Sequence, residues 1–96
     1  MFAHIHTHMY TSRRIFPFSE NKQPVELHCD CCDITANLSL SRRNTYTGGG
    51  TFIAAMNKVV KLEQGEVLLH PGNLVHSGVP ITAGTRYLMV TFAKFK

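Results

Sequence analysis

Two histidines and an aspartate carry the first chemical suggestion in this chain. His28 and Asp30 flank Cys29 in the stretch ELHCD, and His70 and His76 lie far downstream. Two imidazoles and one carboxylate are the ligand set of a mononuclear non-haem iron(II) centre, which leaves coordination positions open for other molecules. A His-X-Asp tripeptide often arises by chance, so the pair needs a further ligand from elsewhere in the chain. His70 and His76 compete for that place. His70 follows Leu68 and Leu69 ahead of a turn, which suits a packing or hydrogen-bonding residue. Arg86 is the other informative group. It alternates in phase with Leu88, Val90 and Phe92, where an unpaired guanidinium is costly to bury. A carboxylate partner removes that cost through two parallel, charge-assisted hydrogen bonds. Either a bound ligand or one of Asp33, Glu63 and Glu66 can supply it.

These residues need elements to hold them. Residues i and i+2 of a strand face the same way about 6–7 Å apart, so His28 and Asp30 can reach one ion while Cys29 points away. A ligand from a distant strand then fixes the ion across a barrel mouth. Ile34, Ala36, Leu38 and Leu40 alternate with Thr35, Asn37, Ser39 and Ser41, the pattern of a half-buried strand. By parity Thr35 and Asn37 fall on the face opposite Asp30 unless a bulge intervenes. Residues 42–50 are turn material ending in Gly48-Gly49-Gly50, which lacks the Lys-Ser/Thr of a phosphate loop. Residues 51–55, 59–62 and 66–70 read as strands separated by Asn57-Lys58 and Glu63-Gln64-Gly65. Pro71-Gly72-Asn73 turns the chain, residues 78–84 form a loop, and 85–93 make a closing strand. Short strands with frequent turns and no helical periodicity predict an all-β sandwich or barrel, and a jelly roll fits the spacing. Residues 1–24 are read as an irregular N-terminal segment, in which His4, His6 and His8 alternate and Pro17 and Pro24 interrupt; residues 25–96 are the β-domain.

Composition limits the alternatives. Ninety-six residues make one domain at most, with 44% hydrophobic and 17% charged residues, ordinary for a globular protein. The net charge of +4 is spread over scattered basic residues. Without a basic block interleaved with aromatics, nucleic-acid binding is not expected. Cys29, Cys31 and Cys32 are too few and too close for a disulfide framework, which predicts reduced thiols in a cytoplasmic compartment. They offer a competing zinc or copper site with His28 and Asp30, although vicinal thiolates suit one tetrahedral centre poorly. The His4/His6/His8 row is a further metal-binding alternative. No apolar run is long enough for a membrane span. Arg13, Arg14 and the absence of acidic residues before Glu20 faintly suggest a mitochondrial presequence.

His76 and Arg86 sit in LLHPGNLVHSGVPITAGTRYLMVTF, preceded by YTGGGTF. With HCD upstream, these segments resemble the catalytic domain of the 2-oxoglutarate and iron(II)-dependent dioxygenases, in particular its prolyl- and lysyl-hydroxylase-like branch, across residues 18–93. The resemblance implies a double-stranded β-helix, or jelly roll, with the glycine run as a demanding turn at the barrel rim. It selects His76 over His70, because the distal ligand of that family lies ten residues before the basic residue holding the co-substrate. The implied catalytic and metal-binding set is therefore His28, Asp30 and His76, and Arg86 holds the distal carboxylate of 2-oxoglutarate. The implied reaction consumes dioxygen, releases succinate and carbon dioxide and hydroxylates a peptide or protein substrate, with L-ascorbate keeping iron(II) reduced. Two departures stand out. Phe18 occupies the place of a family tyrosine before Gln23, and a phenyl ring donates no hydrogen bond. The family's N-terminal helices and strands have no counterpart in residues 1–24, so the expected jelly roll is incomplete on that side. A non-catalytic interaction or sensor module is the alternative function.

Overall fold

The computed structural model describes the backbone of residues 3–13 and the whole of residues 26–95. The described chain is all-β: eight strands and two single 3-10 turns, with no α-helix among the described residues. Hence no described helix is long and apolar enough to cross a membrane. Pro17, Phe18, Gln23 and Pro24 lie outside the described residues, as do the side chains of His4, His6 and His8.

The strands are β1 (Ala3–Arg13), β2 (Ile34–Ser39), β3 (Tyr46–Gly48), β4 (Thr51–Ile53), β5 (Lys58–Val60), β6 (Val67–Pro71), β7 (His76–Gly78) and β8 (Ile81–Phe95). One sheet runs β1-β8-β2-β6, with β3 added at the start of β8; the other runs β5-β4-β7. All pairings are antiparallel. This is a curled half-barrel of jelly-roll type. The long β8 organises it, pairing with β3 through Ile81–Gly84, then with β2 on one side and β1 on the other.

Several short elements depart from the sequence expectation. Residues 3–13, read as irregular, form a full strand in register with β8, from Ala3 opposite Phe95 to Arg13 opposite Thr85. Their period-2 alternation is weak in hydrophobicity, and pairing along one edge of β8 supplies the missing order. β3 and β7 fall in stretches expected as a turn and at a loop edge. Three residues are too few for periodicity to show, and their partners fix them instead.

β2 keeps its alternation but inverts its sense. Thr35, Asn37 and Ser39 are the buried residues, at 1%, 7% and 2% exposure, while Ile34, Ala36 and Leu38 are only half-buried. The polar face therefore points into the half-barrel. Such a face is tolerated where its groups find partners: Ser39 Oγ donates to the Ser41 carbonyl, and the Tyr87 amide donates to Ser41 Oγ. Among the described residues the buried apolar side chains are Tyr46, Ile53, Ile81 and Val90.

Candidate metal centre

His28 is held by its backbone. It forms an isolated antiparallel bridge with His76, donating its amide to the His76 carbonyl at 2.9 Å and accepting in return at 3.0 Å. Asp30 lies beyond any strand, in a loop pinned to the turn after β6. The Asp30 amide donates to the Gly72 carbonyl at 2.8 Å, and the Gly72 amide donates to the Asp33 carbonyl at 2.9 Å. A glycine is required at position 72 because a Cβ there would collide with the Cys32 carbonyl oxygen. A bend over residues 31–33 separates Asp30 from β2. That bend resets the face parity and brings Thr35 to the same side as Asp30, correcting the opposite-face expectation.

The three residues converge. The ligand atoms of His28, Asp30 and His76 all lie within 4.8 Å of one another. His28 Nε2 and His76 Nε2 each stand 3.6 Å from Asp30 Oδ1. His28 Nδ1 meets the Glu26 carbonyl at 3.0 Å and His76 Nδ1 meets that of Leu74 at 2.8 Å. A carbonyl oxygen only accepts, so each Nδ1 carries a proton, and each ring turns its Nε2 toward Asp30 Oδ1. Two imidazole nitrogens and a carboxylate oxygen facing one point are a ligand-atom set that suits a cation. The 3.6 Å separations can be spanned by one ion about 2.1 Å from each atom. The same carbonyl contacts orient the rings in the manner of outer-sphere partners in metal sites. The residues therefore fit a divalent metal. Asp30 is largely shielded and His76 buried, whereas His28 is half-exposed.

Arg86 opens onto the same cavity. A space of about 290 Å³ between the two sheets is lined by Asp30, Thr35, Asn37, His76 and Arg86, with Leu88, Val90 and Phe92 as its apolar wall. Leu88, Val90 and Phe92 thus share the inward face with Arg86, as their alternation predicted. None of the ion pairs among the described residues includes Arg86. The three candidate structural partners are engaged elsewhere. Glu63 pairs with Arg43 at 2.9 Å, Asp33 Oδ2 accepts the Phe95 amide, and Glu66 Oε1 accepts the Glu63 amide. Arg86 Nε is buried without a hydrogen-bond partner. Burial pushes the guanidinium below its ordinary range, an effect opposed by nearby Tyr46, whose ring lies 6.0 Å from Arg86 Cζ. Among the described residues this half-buried cation has no anion beside it, which makes it a candidate anion-binding group.

The other motifs resolve as follows. Gly48, Gly49 and Gly50 have φ of 79°, 77° and 100°, so the run is a turn that other residues adopt only with strain. At Gly49 a Cβ would stand 3.1 Å from Arg86 Nη1 and 2.6 Å from Ile81 Cδ1. Cys29, Cys31 and Cys32 are free thiols; Cys29 Sγ contacts the Asn73 carbonyl, while Cys32 Sγ contacts Thr35. Among the described residues the His28/Asp30/His76 group is the one set of three or more His, Cys, Asp or Glu side chains close enough for a metal. That leaves the thiol-based zinc or copper alternative without a geometric basis. His70 is buried beside the site, its ring 4.6 Å from that of His76. Thr35 and Asn37 carry no signal of a role in the sequence, because strand parity alone points them away from the site.

No protein-family model matches the chain. Curated relatives do. The sequence is 39% identical over 80 residues to the rat multifunctional procollagen lysine hydroxylase and glycosyltransferase LH3, and 39% identical to mouse procollagen-lysine,2-oxoglutarate 5-dioxygenase 1. It is 36% identical to procollagen-lysine,2-oxoglutarate 5-dioxygenase of Drosophila melanogaster. Each match covers 78% of this chain and 11% of the relative, so the chain spans about a tenth of the length of the proteins it matches.

Proposed function

We propose, from the premise that this chain is a 2-oxoglutarate and iron(II)-dependent dioxygenase-like domain related to the procollagen lysyl hydroxylases, that it is a hydroxylase acting on a peptidyl substrate. Iron(II) is held by His28, Asp30 and His76, and 2-oxoglutarate by Arg86. The observation that carries the reading is a single cavity lined by Asp30 and His76 of the His/Asp/His cluster and by Arg86, a guanidinium with no ion-pair partner among the described residues.

Each group has a defined task. His28 and His76 offer Nε2 because their Nδ1 protons are committed to carbonyls. Asp30 supplies the negative charge that favours a divalent cation. With three protein ligands, a bound metal would still have room for the 2-oxo acid and dioxygen. When bound, iron supplies the oxidative decarboxylation of the co-substrate to succinate and carbon dioxide and the insertion of oxygen into a C–H bond. Arg86 orients the co-substrate by binding its far carboxylate through the guanidinium fork. Leu88, Val90 and Phe92 keep that ion pair away from bulk water, where it would be weaker. The names of the relatives point to a lysyl side chain, and ascorbate is the proposed reductant for iron.

Succinate formation from 2-oxoglutarate, with and without iron(II), tests the reading. Iron-dependent succinate is the expected result. A folded, iron-binding sample without turnover overturns it in favour of a non-catalytic interaction or sensor module.

A further inference from the structure

The two oxygens of Asp30 have different surroundings. Oδ1 faces both His28 Nε2 and His76 Nε2, each at 3.6 Å. Oδ2 faces the other way and accepts a hydrogen bond from Thr35 Oγ1 at 2.6 Å. Thr35 is 1% exposed, the largest fully buried side chain among the described residues. It sits mid-sheet, opposite His70 of β6 on one side and Phe92 of β8 on the other, so its backbone has little freedom. Cys32 Sγ lies 3.2 Å from the same hydroxyl. A carboxylate only accepts, so the Thr35 proton points to Asp30; the Cys32 thiol beside it also reaches the Ile34 carbonyl at 3.5 Å.

His70 closes the remaining side. Its Nδ1 is 2.8 Å from the Pro71 carbonyl, and its buried Nε2 stands 4.0 Å from Asp30 Oδ2 without a hydrogen-bond partner. Rotation of the carboxylate to present both oxygens to the His28/His76 point would break the 2.6 Å Thr35 bond.

We propose that Thr35, flanked by His70, is a positioning residue that restricts Asp30 to metal binding through Oδ1 alone. One-oxygen binding keeps a coordination position open that a two-oxygen carboxylate would occupy. The inference rests on the metal-centre reading above and goes beyond it, because it assigns the work of orienting the carboxylate to a buried hydroxyl outside the ligand set.

The test uses the full chain with Mn(II) as the probe, followed by titration calorimetry and by the electron paramagnetic resonance spectrum of the bound ion. Thr35→Val removes the hydroxyl with little change in shape. It is expected to weaken Mn(II) binding about 10–100-fold, the usual cost of losing an outer-sphere partner, and to alter the resonance spectrum. Thr35→Ser and Thr35→Ala share the same lost methyl and differ only in the hydroxyl, so this pair decides the matter if Thr35→Val does not unfold cooperatively. Serine is expected to retain the wild-type spectrum and alanine to lose it. Wild-type affinity and an unchanged spectrum in a folded Thr35→Val or Thr35→Ala variant overturn the inference. If His28→Ala abolishes Mn(II) binding in the same series, the metal centre itself stands and only the role of Thr35 falls. A wild-type chain with no Mn(II) affinity overturns both.

Discussion

His28 and His76 exchange both of their backbone hydrogen bonds, at 2.9 and 3.0 Å, and their rings lie 4.4 Å apart between centroids. The two candidate ligands are thus joined through the main chain, and replacing either ring leaves that bridge in place. His28→Ala, His76→Ala and Asp30→Ala are each expected to lower Mn(II) affinity by more than about 100-fold, beyond the range of outer-sphere changes. Circular dichroism should show the strands intact. His70→Ala should retain Mn(II) binding within that outer-sphere range, because its Nε2 lies outside the converging group. Equal losses at positions 70 and 76 in calorimetry would contradict the ligand assignment.

Arg86 makes a separable prediction. Arg86→Ala is expected to weaken 2-oxoglutarate binding by about 2–4 kcal/mol through loss of paired ionic hydrogen bonds. Calorimetry with Mn(II) present should show this while Mn(II) affinity stays near wild type. Arg86→Lys keeps the charge but not the fork, and should recover only part of the loss. Since burial depresses the guanidinium and no described carboxylate pairs with it, the alanine variant should also gain thermal stability in the absence of 2-oxoglutarate.

Gly72 links the fold to the site. Its two backbone bonds clamp the Asp30 loop, and its missing Cβ leaves room for the Cys32 carbonyl. Gly72→Ala is expected to push the loop outward, costing about 1–3 kcal/mol as an overpacking change and lowering Mn(II) affinity with it. Gly65 is the contrast. A Cβ there meets nothing within 4 Å, although φ is +86°. Gly65→Ala should cost about 1–2 kcal/mol in left-handed strain and leave Mn(II) binding unchanged. Thermal melts paired with titrations separate the two cases.

The sequence carried the strand-rich architecture and the residues around the cavity because both rest on local signals. Turn residues punctuated the strands, and Arg86, Leu88, Val90 and Phe92 alternated in phase onto one lining. What it hid depends on geometry between segments. The bend at residues 31–33 cannot be read from HCDCCD, yet it decides that Thr35 faces Asp30 at 2.6 Å. β2 was legible as a strand but not in its polarity, since an alternation does not say which face is inward. A binding cavity reverses the usual rule by drawing Thr35, Asn37 and Ser39 inside. β1 and β7 were obscured for another reason: partner strands define them more than their own composition does.

The glycine run tests how closely the rim is fitted to the co-substrate group. Gly49 holds φ at +77°, and its absent Cβ would crowd Ile81 Cδ1 at 2.6 Å and Arg86 Nη1 at 3.1 Å. Gly49→Ala therefore combines left-handed strain of about 1–2 kcal/mol with displacement of the guanidinium. The long Arg86 side chain can yield more easily than Ile81, a buried apolar residue of the core. Movement of Arg86 misaligns the fork, so 2-oxoglutarate affinity should fall, though less than in Arg86→Ala. The metal cluster, built on the His28/His76 bridge and the Gly72 clamp, should keep its Mn(II) affinity. If Gly49→Ala instead lowers Mn(II) and 2-oxoglutarate binding in equal proportion, the rim and the metal cluster are one mechanical unit, and the separate anchoring of Arg86 argued from its position on β8 is wrong.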